Sequence, residues 1–417
     1  MNNVLIFIYV IIIFDYILER VLNIINTNYR KYPLPVELEG VYDDENYTKS
    51  INYHVEYDRL NLITSSFSFL LVISMFLFHG FAFVDEIARN ISANPILLTL
   101  VFFGILFLIS DLLSIPFEIY GTFIIEEKYG FNKTTSFIYI TDKLKGYFIG
   151  AILGGGLLAI FIWFYYKSGH FFWIYIWLII TIFSILISMF YSNIIVPLFN
   201  KQKPLGEGEL RNNITEFSNK IGFKLKNIYV IDGSKRSTKA NAYFTGLGPK
   251  KRIVLYDTII NQLSNNEIIA VLSHEVGHYK KKHTVISLFT SIIQIGLTLY
   301  ILSMFIDNPI FSKVLGINKP GIHIGLIVFG ILYSPITLLI GLFMNLISRK
   351  NEFAADRYAA SYGFSDDLIN GLKKLSRNNL SNLNPHPLYT FFYYSHPTLF
   401  QRINALKDYK DNNTKKL

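Results

Sequence analysis

Three residues on one short segment could hold and use a metal ion. His274-Glu275-Val276-Gly277-His278 reads H-E-x-x-H. On an α-helix of about 3.6 residues per turn the two histidines leave one face, and Glu275 lies beside the corner left open for water. Zinc accepts two neutral imidazole nitrogens in this way. A water bound to it falls in pKa towards ~7 and needs a nearby carboxylate to take its proton. In a chain with nine His and thirty acidic residues, chance alone supplies roughly 0.014 such patterns, so a coincidence on a solvated helix explains it poorly.

A third ligand is required, and Glu352 in Asn351-Glu352-Phe353-Ala354-Ala355-Asp356 is the best candidate. Asp356 follows one helical turn later, spaced to accept a hydrogen bond from a ligand histidine. The same carboxylates could instead pair on the surface with Arg349 or Arg357, and spacing does not choose between the two. His54, His79, His170, His283, His323 and His386 lack partners at metal spacing and read as loop, interfacial or packing residues. The absence of cysteine excludes disulfides, Cys-based zinc sites and thiol catalysis, so a metal must be held by His, carboxylate or water.

The elements that must position these groups are legible around them. Ser264 and Glu267 have capping-box spacing, with Leu263 and Ile268 at staple positions, which predicts a helix over 265–280. Upstream, LRNNITEFSNKIGF predicts a helix ending near Gly222. NIYVID and KRIVLYDTI predict strands, with NAYFTGLGPKK between them and Gly246, Gly248 and Pro249 supplying a turn. SRKNEFAADRYAASYG predicts a helix closed by Gly363 and continuous with the apolar stretch before it. The tail KDYKDNNTKKL reads as polar and disordered.

Composition sets the environment. With 51% hydrophobic residues, 17% charged and a mean hydropathy of +0.35, the chain is far more apolar than a soluble enzyme at about 25% charged. Seven stretches are long enough to cross a bilayer: about 4–22, 62–84, 96–119, 147–166, 171–196, 284–306 and 322–347. The first has no Lys or Arg before Arg20 and no small-residue cleavage site, so it reads as a retained span rather than a signal peptide. Of the 39 basic residues, 35 fall in one set of connecting segments, which predicts a lumenal N-terminus and a cytosolic C-terminus. The net charge of +9 follows from that topology, with no call for nucleic acid. Asp111 and Glu118, inside the third stretch, need a polar interior or a water-filled cavity. Gly150 and Gly154 read as intramolecular packing.

HEVGHY, NAYFTG, NEFAAD, YYSHPTLFQRI and SIPFEIYGTFIIEEKYGFNKTT, in these places, resemble the type I CaaX prenyl proteases, over about residues 30 to 407. The resemblance implies His274, His278 and Glu352 as ligands of one Zn²⁺ per chain, Glu275 as general base and Asp356 behind a ligand. It also implies that Asn241 lies beside the metal on a segment that pairs with substrate, and that His396 and Arg402 line the site, His396 donating to the substrate carbonyl or oxyanion. It implies seven tilted helices around a water-filled chamber, capped by the zinc domain, in the endoplasmic reticulum or nuclear envelope.

The expected protein is therefore a mainly α, polytopic membrane zinc endopeptidase with a cytosolic α+β peptidase domain. Helices one to five occupy 1–196, the H-E-x-x-H segment 197–283, helices six and seven 284–347, and the third ligand and tail 348–417. It would act as a monomer in the lipid bilayer, removing the terminal tripeptide from prenylated CaaX proteins. Rival readings are a quality-control membrane metalloprotease of the same clan and, more distantly, a seven-span receptor or transporter. The TKKL terminus has Lys at the third-last place but not the fourth-last, so endoplasmic reticulum residence rests on the resemblance.

Overall fold

The computed structural model describes residues 3–222, 228–245 and 252–414. The apolar stretches are helices, the form in which a segment satisfies its own backbone inside hydrocarbon. α1 (Asn3–Tyr29) leads to α2 (Asp44–Leu77), which is capped by Asp43 accepting from the Asn46 amide. α3 (Gly80–Ile91) and α4 (Pro95–Ile119) follow, α4 capped by Asn94 and running on through a π-helical turn, Tyr120–Glu126. α5 (Ser136–Ile149) continues through a second π segment, Gly150–Gly155, into α6 (Gly156–Ser168). Gly169, at φ +54°, breaks that run, and α7 (Phe172–Ile194) folds back against α6 through Phe161 and Phe172 before the short α8 (Val196–Phe199).

The segment between α8 and α12 opens with β1 (Gln202–Pro204), α9 (Glu209–Lys220), β2 (Ile228–Ile231), β3 (Ala242–Thr245) and β4 (Arg252–Tyr256). α10 (Asp257–Gln262) and α11 (Asn265–Lys280) complete it. The sheet order is β1-β2-β4-β3: β2 and β4 are parallel, while β3 lies antiparallel to β4 with Ala242 opposite Leu255. β3 is thus an edge strand, and among the described residues nothing pairs with its outer side. Ile253 and Leu255 of the sheet share a buried core with Ile268, Leu272 and Val276 of α11.

Next come α12 (His283–Phe305), α13 (Ile310–Val314), α14 (Ile322–Ser361), α15 (Ser365–Asn378), α16 (Pro387–Tyr393) and α17 (Leu399–Thr414). α14 is one unbroken helix of 40 residues, and Gly363 at φ +91° follows its end. Five helical runs are long and apolar enough to cross a membrane among the described residues: Asp44–Leu77, Pro95–Glu126, Ser136–Phe199, His283–Phe305 and Ile322–Ser361. The third of these contains the α6–α7 reversal. α1 is apolar too but carries Asp15, Glu19 and Arg20.

Several expectations change. The helix expected from about 147 begins already at Ser136, as α5, and Lys143 is not a loop cation: its Nζ lies 3.1 Å from Asp111 and 2.7 Å from Glu118 on α4. Tyr147 and Tyr139 bond the same two carboxylates. The ionisable groups of the third stretch are therefore met by a neighbouring helix. Gly150 and Gly154 sit in the π segment, and a Cβ at either would touch nothing within 4 Å, so neither is a packing contact. The C-terminal tail is helical as far as Thr414. Gly246, Gly248 and Pro249 and the last three residues lie outside the described segments.

Candidate active site

α11 is held by the reciprocal cap read in its sequence, Ser264 with Glu267, and Glu267 is further paired with Lys374 of α15 at 2.7 Å. α11 crosses α14 closely enough that a Cβ on Gly277 would sit 3.0 Å from Ala355 Cα and 3.1 Å from Tyr358 Cβ. The glycine inside H-E-x-x-H is thus what lets the two ligand-bearing helices touch.

At that crossing His274, His278 and Glu352 each turn a ligand atom inward, all within 4.8 Å of one another. His274 Nε2 is 3.1 Å from His278 Nε2 and 3.4 Å from Glu352 Oε2, and His278 Nε2 is 3.2 Å from Glu352 Oε1. Tetrahedral zinc with bonds of about 2.0–2.1 Å separates its ligand atoms by about 3.3 Å, so these spacings fit that ion, as does the donor set of two imidazoles and a carboxylate. Glu352, 4% exposed, has one oxygen without a well-formed hydrogen bond, and two imidazole nitrogens face each other across the gap; a cation would satisfy all three.

Asp356, 1% exposed, accepts from His274 Nδ1 at 2.8 Å and from Arg402 Nε and Nη2 at 2.8 and 2.6 Å. In the neutral ring that a metal requires, the bond to Asp356 fixes the tautomer, with the proton on Nδ1 and the Nε2 lone pair aimed at the trio. Arg402 Nη2 is also 3.3 Å from that Nδ1, but both atoms are donors, so the approach is a contact and not a bond. Burial and Arg402 push the His274 pKa down, but the Asp356 and Glu352 carboxylates outweigh them and hold it at about 9. The pocket favours positive charge. The surface-pair alternative is not what forms: Arg349 donates instead to the Thr390 and Tyr394 carbonyls, and Arg357 is exposed.

His396 Nδ1 lies 3.1 Å from Glu352 Oε2, with the side chain 66% exposed, and Arg402 Nη1 is 3.8 Å from the same oxygen. Asn241, Glu275, His396 and Arg402 all line one cavity of about 530 Å³ with the three inward residues. Asn241 stands just before β3, its carbonyl accepting from the Tyr256 amide and its own Oδ1 accepting from the Ala242 amide. One contributor went unread. His283 Nδ1 is 3.1 Å from His278 Nδ1, so one neutral ring donates to the other and His278 is braced from α12 as His274 is from α14. The signal available was a third histidine five residues on. It lies across a helix break at Lys282, φ +60°, where helical periodicity does not carry.

Residues 24–201 match the family model described as CAAX prenyl protease N-terminal, five membrane helices, and residues 204–410 match peptidase family M48. The chain is 36% identical to CAAX prenyl protease 1 homolog of Arabidopsis thaliana over 96% of each chain. It is 34% identical to CAAX prenyl protease 1 of Saccharomyces cerevisiae over 91% of this chain and 90% of that one. The chain belongs to the type I CaaX prenyl proteases. Its fold agrees at a TM-score of 0.93 with the crystal structure of S. mikatae Ste24p, at 33% identity, covering 97% of this chain and 99% of that one. It is thus a multi-pass membrane protein and an M48 metallopeptidase, and in such an enzyme the inward trio at the α11–α14 crossing is where a metal belongs.

Proposed function

We propose that this chain is a zinc endopeptidase that removes the C-terminal tripeptide from prenylated CaaX proteins. The observation that carries the reading is the His274–His278–Glu352 trio at ion-ligand spacing beside the edge strand β3. His274, His278 and Glu352 would hold one Zn²⁺. When bound, zinc supplies a Lewis acid for the scissile carbonyl and a water of lowered pKa. Glu275 takes the proton of the attacking water and returns it to the leaving amine. Asp356 keeps His274 in its working tautomer, clamped in turn by Arg402. His396, beside Glu352 and open to the cavity, donates to the carbonyl oxygen as charge builds there. The substrate pairs as an extended strand along Asn241 to Thr245, the mode an open sheet edge favours.

The membrane part is read as seven spans: α1, α2, α4, α5 with α6, α7, α12 and α14. The α6–α7 reversal and the apolar length of α1 support two more crossings than the five continuous runs. Those helices enclose a chamber for the prenyl chain, within 1–196 and 284–347, while 197–283 and 348–417 form the cytosolic peptidase. The N-terminus is lumenal, the membrane is that of the endoplasmic reticulum, and the working unit is the monomer. Incubating the purified protein with a farnesylated C-a-a-X peptide and weighing the fragments tests the reading. Release of the intact tripeptide is the expected result; an uncut peptide, or equal cutting without the farnesyl group, refutes it.

A further inference from the structure

A second cavity of about 600 Å³ adjoins the active-site cavity, and His396 and Arg402 form part of the wall of both. Its volume is that of a small-ligand pocket. Its lining differs in charge from that of its neighbour. The active-site cavity is lined by Glu275 and Glu352, whereas the second is lined by Lys239 and Arg402 and by no carboxylate among the described residues. Arg402 is paired with Asp356 through two donors, and Lys239 is paired with Glu126 through one, so Lys239 is the cation with a proton still free for this space.

Lys239 is held in place. Its Nζ lies 4.4 Å from the centre of the Phe131 ring, and it donates to Tyr53 Oη at 2.9 Å and Glu126 Oε1 at 3.0 Å, which leaves one of three ammonium protons uncommitted. Glu126 also accepts from Tyr53 and Tyr57, so its charge is shared among three donors. The Lys239 backbone is pinned as well, its carbonyl accepting from Thr258 Oγ1 and that of Thr238 from Gln262 Nε2. The wall around Asn379 and Ser381 is equally built. Leu380 is held at φ +50°, a strained value for a leucine, with its carbonyl bonded by Ser50 and His54 from α2. Asn379 lines the same wall, with its side-chain oxygen buried and unpartnered.

The two cavities also differ in what they adjoin. The active-site cavity reaches His283, Thr284 and Ser287, in the first turns of α12, a helix apolar enough to span a bilayer. The second lies among the turns that follow α15 and α16 and is closed on one side by Tyr53 and His54, in the polar N-terminal part of α2 that precedes its apolar stretch. A peptide whose lipidated residue must point to the membrane runs its free end the other way, past Asn241 towards Lys239, two residues earlier on the same extended segment. A tripeptide reaches about 10 Å when extended.

We propose that this second cavity is the subsite for the substrate's free C-terminal carboxylate, with Lys239 Nζ as the cation that binds it. The inference rests on the tripeptidase reading above and adds a rule to it: the enzyme measures the tail by its charged end. A charge-assisted hydrogen bond in a half-buried site corresponds to about tenfold or more in affinity.

The test uses the full-length zinc-loaded protein and two farnesylated C-a-a-X peptides that differ only in ending as a carboxylate or a carboxamide. Wild type is expected to cut the acid about tenfold or more better in kcat/KM. Lys239→Gln should bring the ratio towards one, and Lys239→Arg should restore most of it. Binding of the same two peptides to Glu275→Gln, read by fluorescence polarisation, should show the same preference with no turnover. Equal handling of acid and amide by wild type, or an acid preference that survives Lys239→Gln, overturns the carboxylate site and leaves the tripeptidase reading standing. Failure to cut either peptide overturns the tripeptidase reading, and the carboxylate site falls with it.

Discussion

Removing the Asp356 carboxylate should damage the fold and the metal site by separable amounts. In Asp356→Ala, Arg402 keeps its charge in a buried setting while losing bonds of 2.6 and 2.8 Å, the situation in which breaking a buried pair costs about 3–5 kcal/mol. His274 loses the 2.8 Å bond that fixes its tautomer, and losing such a partner weakens metal binding about 10- to 100-fold, or about 1.4–2.8 kcal/mol. Asp356→Asn keeps an oxygen for His274 Nδ1 but turns an amide towards the guanidinium, so zinc affinity should fall less than in the alanine variant. Pairing Asp356→Ala with Arg402→Met removes both charges; stability should largely return, whereas zinc affinity should not. Thermal unfolding in detergent reads the first quantity and chelator competition the second. Wild-type zinc affinity in Asp356→Ala, or recovery of both quantities together in the double variant, would show that Asp356 does not orient His274.

Glu275→Gln should keep stoichiometric zinc but lose about 10²–10⁴-fold in turnover, while Glu352→Ala loses the metal too; metal analysis beside a peptide assay separates them, and near-normal turnover in Glu275→Gln sinks the mechanism. Gly277→Ala puts a methyl 3.0 Å from Ala355 Cα and should destabilise by about 1–3 kcal/mol while weakening zinc binding, because the ligand helices must part. With its pKa at about 9, His274 carries a proton on Nε2 at neutral pH when no metal is bound. Zinc must displace that proton, so apparent affinity should fall by up to about tenfold per unit as pH drops from 9 to 7. Calorimetry in buffers of different ionisation enthalpy should find about one proton released, and none released would refute the charge state. As the chain has no native cysteine, single cysteines near residues 90 and 410 should label from opposite sides of sealed vesicles; labelling from the same side would reverse the orientation.

What was legible in the sequence was what is local. The α11 cap needs only Ser264 and Glu267, three residues apart, and the two histidines need only one helical turn. The continuity of α14 from its apolar part into Asn351–Asp356 is likewise local, since no proline or glycine interrupts 342–356 after Pro335 and Gly341. What escaped depends on partners distant in the chain. Lys143 looks like a loop cation until Asp111 and Glu118 are seen on the adjacent helix. β1, Gln202–Pro204, is polar and ends in proline, and it is a strand only because Tyr229 to Ile231 pair with it. Spacing could not decide whether Glu352 faced a metal or the surface. That choice follows from which face of α14 Gly277 allows α11 to approach.

The same crossing explains why this peptidase chemistry is built on membrane helices. Glu352 and Asp356 stand on the helix that begins at Ile322, about 45 Å away at 1.5 Å per residue, while His283, which braces His278, is the first residue of α12. Of the groups that set the trio's geometry, then, one ligand and the braces of both histidines are carried by helices apolar enough to span a bilayer or clamped against them. His274 and His278 themselves ride on α11, which is not one of those apolar runs. Ligand spacings of 3.1–3.4 Å tolerate only tenths of an ångström, and a rigid helix turns a small tilt at one end into a displacement of that size at the other. The metal site is therefore complete only when α12 and α14 hold their native angle to α11, which makes the packing of the spans a determinant of the catalytic centre.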